Sequence, residues 1–234
     1  MDEFRQAPAI ALDLLITLEP ELLAIIGLSL KVSLAATLLA ALIGLPLGAA
    51  VAVYRFPGRS VITAVLNAMM GLPPVVVGLG VYLMLSRAGP LGELGLLFTP
   101  QAMVIAQCLL ITPLIAALTR QTISDLDHTH REQLQVLNTG QLAMVTTLLR
   151  DAWLSLTTAV LAGFGRAIAE VGAVIIVGGN IKGVTRVMTT TIALETSKGN
   201  LALAMALGLV LLAIAISINL LAGILQHAAA QRHA

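Results

Sequence analysis

TRQTISDLDHTHREQLQVLNTGQLAMVTTLLRD, Thr119 to Asp151, is the stretch that decides the fold. It gathers Arg120, Asp125, Asp127, His128, His130, Arg131, Glu132, Arg150 and Asp151 between two long tracts that avoid charge. A polar run between segments long and apolar enough to cross a bilayer is a loop held outside it. Its pattern is helical. Glu132 to Leu137 and Met144 to Leu149 read as two short helical stretches, with Asn138-Thr139-Gly140 as the turn between them. A short amphipathic helix projecting from a membrane can lay its apolar face into a groove on a soluble partner.

The composition agrees with a bilayer setting. Of 234 residues, 58% are hydrophobic and 11% charged, where a soluble domain carries about 25% charged residues. Mean hydropathy is +0.98. Aromatics make up only 3%, so an interfacial aromatic belt is thin. A net charge of +1 excludes a nucleic-acid binder driven by a basic surface. The single Cys108, inside an apolar tract, excludes a disulfide framework and reads as a small buried hydrophobe. The opening MDEFRQAP is mixed in charge and lacks the basic start of a secretory signal.

Working outward from the loop gives five spans. Toward the N-terminus, Gln101 to Leu118 is the third, and Ser86 to Pro100 is a turn-rich loop before it. Val61 to Leu85 is the second, with GLPPVVVGLG (Gly71 to Gly80) in its middle. Pro73 and Pro74 remove two backbone donors and break or bend that helix. Irregular backbone at membrane depth survives only inside protein or beside a watery cavity, so this segment reads as interior. Leu22 to Val53 is the first span, with Lys31 placed to snorkel and a kink expected at Gly44, Pro46 and Gly48. Tyr54 to Arg59 is a basic turn. Residues 8 to 21, with Asp13, Glu19 and Glu21, are too short and charged to span and read as a helix lying at the interface. Toward the C-terminus, Trp153 to Val177 is the fourth span, Gly178 to Asn200 a polar loop, and Leu201 to Leu225 the fifth. The expected fold is therefore all-α and polytopic. An interfacial segment covers 1–21, a transmembrane domain covers 22–227 with its projecting loop at 119–152, and a cytoplasmic tail covers 228–234. Six loop cations on the side of the projecting loop against five on the other leave orientation to rest on the loop itself.

Few residues can carry chemistry. Arg166 and Glu170 lie four apart on the fourth span and are expected to share a helix face. Ionisable residues inside a span mark a functional site by default, although the two also read as a structural pair that neutralises itself. In the polar loop, Lys182, Arg186 and Lys198 with Thr189, Thr190 and Thr191 suit an oxyanion passing by, and also suit an ordinary solvated loop. No glycine-rich phosphate loop and no H-E-x-x-H motif is present. His128 and His130 lack the further ligands that a metal site needs, so no cofactor or metal is expected. No internal repeat is apparent, which argues against transporters built from duplicated halves. Five spans are few for a whole pathway, and a symmetric dimer with the path on its two-fold axis is the natural solution.

Together these features resemble the permease subunit of an ABC importer, in the tungstate, molybdate and sulfate branch and most closely the tungstate permeases. The resemblance runs from about Gly27 onward. SLKVSL (Ser29 to Leu34) followed by LPLG (Leu45 to Gly48) is similar to that family's opening span. GLPPVVVG (Gly71 to Gly78) is similar to its Pro-Pro helix. FGRAIAEVGA (Phe164 to Ala173) fits oxyanion permeases broadly, and GGNIKG, TRVMTT and ALETSKG, between Gly178 and Gly199, resemble the tungstate type. The polar island occupies the place of the family's coupling loop. Glu132 matches that motif's Glu, while its two Ala positions fall on Gln133 and Leu134 and its Gly on Asn138, with Gly140 two residues later.

The resemblance implies a homodimeric permease of a prokaryotic inner membrane that has no enzymatic chemistry of its own. Two copies of a separate ATPase would dock on the loop through His130, Arg131, Glu132, Leu137, Asn138 and Gly140. A periplasmic or lipid-anchored binding protein would deliver the oxyanion. The pathway and gate would involve Pro73, Pro74, Arg166, Glu170, Gly178, Gly179, Asn180 and Lys182. The substrate implied is tungstate, with molybdate or sulfate as alternatives. A secondary proton-coupled anion transporter using Arg166 and Glu170, or a membrane scaffold without a pathway, are the rival readings.

Overall fold

The computed structural model describes the backbone of residues 2–17, 19–136 and 141–233. It describes side chains for residues 7–8, 10–17, 19–126 and 143–227. Among the described residues the chain is helical and contains no strand. In order it forms α1 (Asp2–Ile16), α2 (Pro20–Val53), α3 (Arg59–Met70), α4 (Pro74–Leu85), a short 3-10 turn (Gly92–Leu94), α5 (Pro100–Val136), α6 (Gln141–Asp151), α7 (Trp153–Ile168), α8 (Gly172–Gly178), α9 (Met188–Lys198) and α10 (Leu201–His233).

Three stretches, Pro20–Val53, Pro100–Leu126 and Leu201–His227, are long and apolar enough to cross a membrane. Two bent pairs, α3 with α4 and α7 with α8, bring the spans to five if each pair counts as one. Large apolar side chains such as Leu42, Val76, Leu83, Leu212, Leu220 and Ile224 are exposed along these helices. That is the surface of a protein solvated by lipid tails rather than water.

The expected break at Pro73 and Pro74 is present, with α3 ending at Met70 and α4 starting at Pro74. Pro73 is the extended residue that caps α4, and Pro74 takes its first position. Proline is tolerated there because the amide it lacks has no intrahelical partner anyway. The anticipated stretch Glu132 to Leu137 is not a separate short helix, because α5 runs without a break through Val136. The second anticipated stretch lies within α6, and Leu137 to Gly140 fall outside the described residues. Half of the supposed polar loop Gly178 to Asn200 is helix α9. Two of its threonines bond back to the preceding turn, with the Thr190 and Thr191 hydroxyls donating to Val187 O at 3.1 and 2.7 Å.

The chain divides into two compact units. The first comprises residues 1–36, 73–107 and 166–217. Its core includes Leu22, Met103, Val174, Val177, Met188 and Leu207, all fully buried. Within it α4 and α8 pack closely, because Gly78 meets the backbone of Ala173 and Gly172 meets Val75. The second unit comprises residues 37–72, 108–165 and 218–234. Its main core joins Ala49, Ala52 and Val53 to Ile123, Val145, Leu148, Ala152 and Leu156. At the end of α2 the Arg59 guanidinium donates to Ala52 O at 2.7 Å, satisfying a carbonyl that the helix leaves open.

Gly44 and Gly48 do not interrupt α2, which continues through Pro46. They let it approach α5. A Cβ on Gly48 would lie 2.3 Å from Ala116 O and 2.7 Å from Thr119 Cβ, and one on Gly44 would lie 3.1 Å from Ile115. Small residues four apart at a helix contact allow this closeness in a bilayer. Gly48→Val therefore forces the two helices apart. Its thermal unfolding midpoint in detergent is expected to fall by an amount matching about 1–3 kcal/mol of overpacking. Gly27→Val, where an added Cβ meets nothing within 4 Å, is expected to leave the midpoint nearly unchanged.

Candidate functional site

The break between α7 and α8 is the centre of the candidate site. α7 ends at Ile168 and α8 starts at Gly172, so Glu170 lies between two helices rather than on one. Its carboxylate Oε1 accepts the Ala173 amide at 3.1 Å in the first turn of α8. Its own carbonyl accepts the Thr189 hydroxyl at 2.8 Å, and its own amide donates to Ala167 O at 3.1 Å. Glu170 is 7% exposed. The expected pairing with Arg166 is absent: no ion pair joins them, and Arg166 is exposed in the last turn of α7. The four-residue spacing fails because the helix stops before Glu170.

Two further contacts tie this break to its neighbours. Gln107 Nε2 donates to Ala167 O at 2.9 Å, and the Met188 amide donates to Ser29 Oγ at 2.8 Å. Ser29, Ser33, Gln107, Glu170 and Thr189 line one small cavity of about 10 Å³. The sequence offered a signal here that composition obscures. Ser29 and Ser33 lie one turn apart on the first span, and Gln107 is a solitary amide on the third; all three are buried.

The segment after α8 is a tight, bonded turn. Gly179 closes α8 at φ +70, with its amide on Ile175 O, and an added Cβ there would lie 2.8 Å from the Phe98 ring. Gly178 faces Met103, which leaves a Cβ only 3.0 Å from its sulfur. Asn180, at φ +50, donates through Nδ2 to Thr190 O at 3.3 Å, and its Oδ1 lies 2.9 Å from the Thr190 hydroxyl. Thr185 bonds Gly178 O and accepts the Ile181 amide. Lys182 is exposed and meets Glu21 at 2.8 Å, and both line a groove of about 340 Å³ with Arg186.

The structure thus brings the start of α4 at Pro74 and Glu170 into one neighbourhood, while Gly178 lies at the far end of α8. A Cβ on Gly172 would lie 2.8 Å from Val75, the residue after Pro74, and 3.6 Å from Glu170 Oε1. Pro73 adjoins this contact, and Gly179, Asn180 and Lys182 lie in the turn beyond the other end of α8. Arg166 stands apart. Of the residues expected in the projecting loop, His130, Arg131 and Glu132 are on the last turns of α5 with side chains outside the described residues. Leu137, Asn138 and Gly140 lie wholly outside them.

The broken spans, the small-residue contacts and the lipid-facing surface define a multi-pass membrane permease. The chain belongs to the family of binding-protein-dependent transport system inner membrane components, whose profile matches residues 44–233. It is 44% identical to a tungstate uptake system permease protein of Peptoclostridium acidaminophilum over 81% of this chain and 83% of the relative. It is 42% identical to a probable anion ABC transporter permease protein of Haloferax volcanii, over 77% and 80%. Identity to the molybdenum transport system permease protein of Escherichia coli K12 is 27%, over 76% and 81%.

Glu195, in α9, gives this region a pH dependence. The hydrogen bond from Lys198 at 2.9 Å holds its carboxyl below the usual carboxylate range, and Asn200 assists at 3.0 Å. A folded value below the unfolded one adds stability that is present above about pH 4.5 and lost as pH falls through the folded value. Glu195→Gln is expected to lower the unfolding midpoint at pH 7. Between pH 5 and pH 3 its midpoint should fall less steeply than that of the unsubstituted chain, which differential scanning fluorimetry at fixed ionic strength can measure.

Proposed function

We propose that this chain forms, as a homodimer, the membrane pathway of an ATP-driven importer for an oxyanion, and that the oxyanion is tungstate. The observation that carries the substrate is the gradation of likeness: 44% identity to a tungstate permease against 27% to a molybdenum permease over similar lengths. Oxyanions of one shape and charge differ little in what a permease must do, so discrimination rests mainly on the binding protein that delivers them. Two copies of an ATPase supply the free energy. They dock on the end of α5 and the segment beyond it, where His130, Arg131, Glu132, Leu137, Asn138 and Gly140 lie.

In this reading the broken spans form the gate. Pro73 and Pro74 start one half-helix, and Glu170 holds the start of the other. Gly178, Gly179 and Asn180 set the turn that leaves it. Arg166, exposed, offers positive charge to an anion near the pathway, whereas Lys182 is exposed but paired with Glu21. Movement of the ATPases pulls on α5, and the half-helices move with their unit between inward-open and outward-open states.

Uptake into vesicles tests the proposal. Radiolabelled tungstate is expected to enter only when this chain, its ATPase, its binding protein and internal ATP are all present, with unlabelled tungstate competing better than molybdate or sulfate. Uptake by the chain alone under a pH gradient would replace the importer with a secondary transporter. Glu132→Ala is expected to reduce retention of the ATPase on the purified permease several-fold. Full retention and full uptake in that variant would remove Glu132 from the docking site.

A further inference from the structure

The cavity at the helix break has a chemistry that the transport reading does not use. Ser29, Ser33, Gln107, Glu170 and Thr189 bring five side chains with oxygen atoms to a space of about 10 Å³, roughly the room one water molecule occupies. The protons of several of these groups are already committed. Ser29 Oγ donates to Ile25 O at 2.7 Å, Thr189 Oγ1 donates to Glu170 O at 2.8 Å, and the Gln107 amide nitrogen donates to Ala167 O at 2.9 Å. What remains is acceptor capacity. Gln107 is 3% exposed, and its Oε1 is buried without a hydrogen-bond partner. Turning the amide over would not help, because it would put the oxygen against the carbonyl of Ala167.

Charge points the same way. The Glu170 carboxylate is buried, and no cation pairs with it among the described residues. Lys182 is engaged with Glu21, Lys198 with Glu195, and Arg166 faces outward. An ionised carboxylate buried without a cation is expensive, so the ionised form calls for a compensating positive charge beside it. A water molecule could donate to two acceptors but would leave the charge in place. A divalent ion would draw on several carboxylates or keep its own waters, and here there is one carboxylate and no room for retained water.

We propose that this cavity is a binding site for one small monovalent cation, sodium. Glu170 supplies the charge, Gln107 Oε1 is a neutral ligand, and the hydroxyl oxygens of Ser29, Ser33 and Thr189 complete an all-oxygen surround. The ion neutralises Glu170 and links α2, α5, the α7–α8 break and the start of α9. It stabilises the fold of this unit whether or not the chain is transporting.

The test uses the full 234-residue chain in lipid nanodiscs, at constant pH and ionic strength, in sodium, potassium or choline chloride. A ion that binds only the folded state raises the unfolding midpoint with its concentration. The midpoint is expected to rise with sodium and to stay flat with potassium and choline, and radioactive sodium should bind at one site per chain. Glu170→Gln keeps an oxygen for the Ala173 amide but removes the charge, and it is expected to lose the sodium response. Gln107→Leu keeps the carboxylate, and its half-saturating sodium concentration is expected to rise by roughly tenfold or more. Identical midpoints in the three salts overturn the proposal and leave the cavity to water, as does an unchanged sodium response in Gln107→Leu.

Discussion

A membrane interior offers no water to an unpaired amide, and the breaks in the two bent spans are shaped by that constraint. The interaction that answers it most directly is the bond from the Ala173 amide to Glu170 Oε1 at 3.1 Å. Where α7 stops and α8 starts, donors lose their intrahelical acceptors. Glu170 replaces one with its side chain, while its own amide and carbonyl bond to Ala167 and Thr189. The second broken span meets the same demand differently. Pro73 and Pro74 carry no amide hydrogen, so the break between α3 and α4 has fewer donors to satisfy. One break is repaired by adding an acceptor and the other by deleting donors. Between the limbs, glycine allows the contact: Gly78 and Gly172 let α4 and α8 touch along their backbones.

The spans were legible because composition alone separates apolar tracts from polar ones, and the five tracts coincide with the three long helices and two bent pairs. The Pro-Pro break was legible because proline acts locally. The other break was not. Ala169, Glu170 and Val171 contain nothing that forbids a helix, so the four-residue spacing of Arg166 and Glu170 read as a shared face. Contacts from distant residues, Thr189 and Gln107, satisfy carbonyls at the break, and a spacing rule does not see them. Gly44 and Gly48 have a role that reading them as kink residues did not supply: α2 stays helical through them, and they allow the approach of α5.

The candidate site was legible in its named residues and not in its supports. Glu170, Gly178, Gly179 and Asn180 stood out as charge or turn residues. Ser29 and Ser33 did not, because a hydroxyl in an apolar span is unremarkable until its partner is known. Helix α9 was hidden by its threonines, which favour strands or loops in isolation. Here the hydroxyls of Thr190 and Thr191 bond back to Val187 O, and Asn180 clamps Thr190 from the preceding turn.

The short limbs also decide what makes up a crossing. Helices α3 and α4 have 12 residues each, about 18 Å apiece, and the hydrocarbon layer is about 30 Å thick. Neither limb partitions into lipid as a complete span. Helix α8, with seven residues, is shorter still. Each of these two crossings is therefore complete only as a pair of limbs, and neither limb can be moved or lost without opening the crossing that its partner completes.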